Sequence, residues 1–104
     1  MSQSSVTRQD LPAAKRAPYR RINLTRERVT RLLTTCGGDT RLLSRAADLV
    51  YRLAERHADG RLYRLSVALT EQRAAVNCRR YSYSESAAAH ELARDEHLSA
   101  MGVP

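Results

Sequence analysis

Apolar residues return at helical spacing along most of the chain after residue 22, and the clearest stretch is "TRLLSRAADLVYRLAERHADG", residues 40–60. At 100° per residue, Leu42, Leu43, Ala46, Leu49, Val50, Leu53 and Ala54 share one face. Asp39 or Thr40 is placed to cap this helix and Gly60 to close it, which sets it at about 40–59. Arg41, Arg45, Arg52 and Arg56 fall on the opposite face. That row reads in two ways, as a ridge for phosphates or as a solvated face laced by pairs such as Asp48 to Arg52. The solvated face is the simpler reading.

A shorter helix is expected before it, at about 25–36. Leu24, Arg28, Val29, Leu32 and Leu33 form its stripe, Thr25 or Asn23 caps it, and Gly37–Gly38 stop it. After Gly60, "RLYRLSVALTEQRAAVNCRR" carries two apolar stripes at helical spacing. Leu62, Leu65, Leu69 and Val76 make one; Tyr63, Val67, Ala74 and Cys78 make the other. Such a helix, about 61–80, needs neighbours on both sides or a second subunit. The first stripe is therefore the candidate self-association surface. Tyr63, Leu65, Val67 and Leu69 also alternate as a strand would, but residues 40–58 offer no partner strand, so helix is the stronger reading. "YSYSES" breaks the run, and Ser82 with Glu85 reads as a capping box for a last, Ala-rich helix at about 83–101. Its apolar face is thin.

Residues 1–21 show no period and hold two prolines, so they are expected to form a disordered basic arm ahead of a helical domain at 22–104. The fold class is all-α, a small three- to four-helix bundle. With 104 residues the chain is one domain at most, and its core must be built from Leu, Ala and Val, since Trp and Phe are absent and five Tyr are the only aromatics.

Charge changes the picture. The net charge is +7, and Lys15 is the only lysine among 18 basic residues. Residues 1–31 carry +6 (eight basic, two acidic), 32–80 carry +4 (nine and five), and 81–104 carry −3 (one and four). Residues 15–31, "KRAPYRRINLTRERVTR", hold seven basic groups against Glu27 alone. Such a strip focuses a field on an anionic partner. The candidate phosphate contacts are Lys15, Arg16, Arg20, Arg21, Arg26, Arg28 and Arg31, joined by Arg79 and Arg80 at the end of the third helix. Tyr19, Tyr81 and Tyr83 lie beside basic residues and are candidates for stacking on unpaired bases. Tyr81 and Tyr83 have an equally good structural role in covering a helix junction.

The chemistry of catalysis is not signalled. No glycine-rich phosphate loop, no nucleophile with a base and no helix-turn-helix can be read from the chain. Cys36, Cys78, His57, His90 and His97 have no metal-ligand spacing, and no cofactor is expected. Cys78 falls on an apparent inner stripe and reads as a core cysteine. Two cysteines make no disulfide framework. No signal-like apolar segment or membrane span is apparent, which fits a cytoplasmic protein without a membrane role. The expectation is a non-enzymatic accessory protein that binds RNA or DNA, or a subunit of a nucleoprotein complex, itself homo-oligomeric or part of a larger assembly. The alternative is a protein-interaction module, antitoxin- or regulator-like, that dimerises or docks on a larger acidic partner.

Overall fold

The computed structural model describes residues 22–104, which form four helices. They are α1 (Arg26–Cys36), α2 (Thr40–His57), α3 (Gly60–Arg80) and α4 (Ser84–Ala100). The expectations placed on residues 1–21, including Lys15, Arg16, Tyr19, Arg20 and Arg21, lie outside the described residues.

Each boundary has a local cause. Thr25 caps α1 by accepting from the Arg28 amide at 3.1 Å, and Gly37, at φ 53°, ends it with its N–H on the Leu33 carbonyl. Asp39 caps α2 through the amides of Arg41 and Leu42. The α2–α3 junction differs from expectation. Ala58, not Gly60, takes the left-handed conformation that closes α2, at φ 49°. Asp59 then caps α3, and Gly60 is the first residue of that helix. The Ser82–Glu85 capping box does not form. Ser82 turns into the left-handed region at φ 65°, the Tyr83 N–H donates to the Cys78 carbonyl, and Tyr83 holds the cap position of α4 with no side-chain cap bond.

Helix α3 is central. Residues 61–70 are helical throughout, and α2 and α4 pack along its two flanks. Helix α1 lies over a third side: its Val29 and Cys36 share one core cluster with Leu43 of α2, Leu65 and Leu69 of α3, and Met101. The Arg26 N–H donates to the Pro104 carbonyl at 2.6 Å, which ties the start of α1 to the residues after α4.

Two expectations about faces are corrected. On α2, Leu43 and Ala54 are buried, whereas Leu42 is 40% and Leu49 58% exposed. The buried strip is rotated away from the centre of the Leu-rich face, because α2 meets α3 along one edge of that face and no described helix covers the other. On α3, Leu62, Leu65 and Leu69 are buried in the chain's own core, and Val76 packs against it. The first stripe therefore offers little to a second copy. The second stripe, about 160° around the helix at its regular step, is the one left open, with Tyr63 exposed and Val67, Ala74 and Cys78 half-buried.

The thin apolar face of α4 is supplemented by polar bonds. Only Ala87 is fully inside, and α4 is held to α3 by Arg79 with Glu91, His90 with Glu71, Arg94 with Gln72 and Arg64 with His97.

Candidate nucleic-acid interface

Short turns join α2, α3 and α4 in antiparallel sequence, so the start of α2, the end of α3 and the start of α4 meet at one end of the bundle. Helix α3 is about 30 Å long, and this length separates two groups of the candidate residues. Arg26 and Arg28 stand near Ile22 and Pro104, at the end where α3 begins. Arg79 and Arg80 stand at the other end. The sequence reading grouped them, and the fold parts them.

Many of these arginines are already engaged. Arg31 pairs with Glu27 at 3.3 Å, and Arg28 donates to the Asn23 carbonyl. Arg79 grips Glu91 through two bonds of 2.7 and 2.9 Å; this holds the Glu91 carboxyl below its usual range and raises Arg79. Arg52 takes Asp48 at 2.7 Å, Arg61 takes Asp59 at 2.8 Å and Arg94 takes Asp95 at 2.8 Å. The side chains of Arg26, Arg41, Arg45, Arg56, Arg73 and Arg80 have no hydrogen-bond or ion-pair partner among the described residues.

Three of those six converge. Arg41 and Arg45 of α2 and Arg73 of α3 line one open notch, with the hydroxyls of Thr40 and Ser44 beside them. The Asp39 carboxylate is close in sequence but is spent on two backbone amides. Arg80, Tyr81 and Tyr83 belong to the same end of the bundle, and both tyrosines are exposed, at 66% and 64%.

The notch runs into a longer groove between α2 and α3, because Ser44 and Arg73 line both. The groove, about 400 Å³, has Ala47 and Val67 on its walls and ends at Tyr51 and Tyr63. The two rings lie 6.2 Å apart at 55°, a tilted aromatic pair. The Tyr51 hydroxyl donates to Glu55 at 3.0 Å, and that bond raises its pKa. A small apolar slot thus has cations at one end and aromatic faces at the other. Sequence reasoning named Arg41 and Arg45 but left them on a solvated face. It did not connect them with Arg73, which is 28 positions beyond Arg45, and it missed the Tyr51–Tyr63 pair.

These described residues define the molecule as a small all-α bundle with a basic end. No known family model, curated protein or solved structure matches the chain. No described helix is long and apolar enough to cross a membrane.

Proposed function

We propose that the protein is a nucleic-acid-binding accessory protein or a subunit of a nucleoprotein complex, without a catalytic site of its own, acting in the cytoplasm. The observation that carries this reading is the surplus of unpartnered guanidinium groups. Among the described residues, five arginines pair with carboxylates, while six, Arg26, Arg41, Arg45, Arg56, Arg73 and Arg80, have no side-chain partner. A guanidinium presents a planar fork of donors matched to a phosphate, so a surface with free forks and few free acids suits a polyanion. Residues 15–21 add Lys15, Arg16, Arg20 and Arg21 to that charge.

Binding of this kind is dominated by counterion release. Each phosphate neutralised contributes about −0.9 to the slope of log affinity against log salt on a duplex and about −0.7 on a single strand. Fluorescence anisotropy with RNA and DNA oligonucleotides over a salt series tests it. If four to six groups engage, a slope of roughly −3 to −5 is expected. Replacing Arg16, Arg20 and Arg21 together by Ala should flatten it by about two to three units and weaken all sequences alike. No binding below ~100 micromolar at low salt would overturn the reading, given that non-specific affinities are ordinarily about 1–100 micromolar.

A second reading, a protein-interaction module or homo-oligomer, is favoured by one specific feature. Leu42, Leu49 and Leu92 are exposed, with Leu92 62% open, and the second stripe of α3 is uncovered among the described residues. Sedimentation at high micromolar concentration separates the two: a clean monomer counts against self-association.

A further inference from the structure

The groove between α2 and α3 narrows the ligand class. Its cationic end needs one negatively charged group that three guanidiniums can share. Its far end presents two partly exposed rings, Tyr51 at 41% and Tyr63 at 51%. The seven residues from Ser44 to Tyr51 cover about 10 Å of helix. Two long arginine side chains and a tyrosine ring reaching toward each other shorten that gap to the scale of one or two nucleotide units.

The acids on this side set a limit. Asp48 lines the middle of the groove, and Glu55 stands behind Tyr51. A continuous run of phosphates through the slot would meet both carboxylates. A single phosphate at the Arg end, with an uncharged base carried toward the tyrosines, would not. A duplex cannot place a base there, since its bases are stacked and paired. An unpaired base has a free π-face for Tyr63 or Tyr51.

We infer that this groove seats one unpaired nucleotide unit, its phosphate held by Arg41, Arg45 and Arg73 and its base stacked at Tyr51–Tyr63. The inference rests on the nucleic-acid reading above and specifies its ligand as single-stranded. The same chemistry is carried by a free nucleoside monophosphate and by a nucleotide within a strand.

The test uses the full chain with a labelled single-stranded oligonucleotide, the matching duplex and adenosine monophosphate. Tyr63→Leu should weaken single-strand binding by roughly ten-fold, the loss expected for one stacked base. Tyr63→Phe should restore it. Arg73→Gln should weaken binding while changing the salt slope by only about 0.7, the share of a single phosphate on a strand. Both sites are exposed, and circular dichroism melts check that each variant is folded. The duplex should bind more weakly and be indifferent to Tyr63→Leu. Displacement of the strand by adenosine monophosphate assigns the seat to the nucleotide unit itself. Variant-sensitive strand binding without such displacement assigns it to a nucleotide held within a strand. Strand binding that neither Tyr63→Leu nor Arg73→Gln alters would overturn the groove assignment and leave the broader function standing. Absence of binding to any oligonucleotide would overturn both.

Discussion

The guanidinium of Arg61 closes a fork on the carboxylate of Asp59, two residues before it. Nη2 lies 2.8 Å from Oδ2 and Nε 3.2 Å from Oδ1, and the same Nη2 reaches the Ile22 carbonyl at 3.0 Å. Both side chains are largely enclosed, and Asp59 also caps α3 through the Arg61 amide. One ion pair therefore joins the α2–α3 turn, the cap of the central helix and the segment leading into α1.

The Asp59 carboxyl is held below its ordinary range, first by the hydrogen bond from the Arg61 side chain. A carboxyl lowered in the folded state stabilises that state above its unfolded value, near ~3.9, and the contribution is lost as pH falls through the folded value. Asp59→Asn should reduce stability at pH 7 by about 1–3 kcal/mol, because it removes the charge-assisted bonds that the enclosed carboxylate accepts from the Arg61 guanidinium. It should also flatten the loss of stability below about pH 4. Urea unfolding between pH 2.5 and 7 measures both; an unchanged acid limb would show that the pair does not report on folding.

Leu69 and Leu49 look equivalent in the sequence and differ in the fold. Leu69 has no exposed surface, so Leu69→Ala should cost about 2–5 kcal/mol. Leu49→Ala should cost less than about 0.5 kcal/mol. Equal losses in denaturant melts would contradict the orientation of α2 described above.

Helix ends were legible because their signals are local. Thr25, Gly37 and Asp39 cap or stop helices as their residue types suggest. The α2–α3 turn was misread by two residues because the left-handed position is filled by Ala58, with Gly60 available nearby as a decoy. Periodicity located the apolar face of α2 but not which edge of it meets α3, since Leu42 and Leu43 contribute alike to any pattern. The two stripes of α3 correctly signalled a helix with several neighbours, yet not which stripe those neighbours cover. The cationic notch was hidden for a different reason: Arg73 comes from another helix, and only the antiparallel turn brings it to Arg41 and Arg45.

Ala58 offers a test of that turn. A residue with a Cβ in the left-handed region carries strain that glycine avoids, partly offset by the greater freedom glycine gives the unfolded chain. Ala58→Gly should raise stability by about 0.5–1 kcal/mol in thermal or urea melts. A destabilised variant would mean that Ala58 packs in a way its conformation does not reveal.

The two thiols should separate chemically. Cys36 is buried, and burial followed by the charge of Asp39 raises its pKa. Cys78 is half-buried on the open side of α3. Timed alkylation with peptide mass spectrometry at pH 8 should show Cys78 modified first, with Cys36 following only as the protein opens. Matching rates would count against the burial of Cys36 at the end of α1.

The order of the helices has a kinetic meaning. Helices α2 and α4 each reach α3 across a turn of two or three residues, so the α2–α3–α4 unit closes through short loops at small entropic cost. Helix α1 is different. Its Val29 must find Met101, more than seventy positions away, before the cluster they share exists. The three-helix unit should assemble first and α1 should settle last. Under native conditions the amides of α1 should then exchange with solvent faster than those of α3, as an outer layer that opens while the inner three helices stay closed.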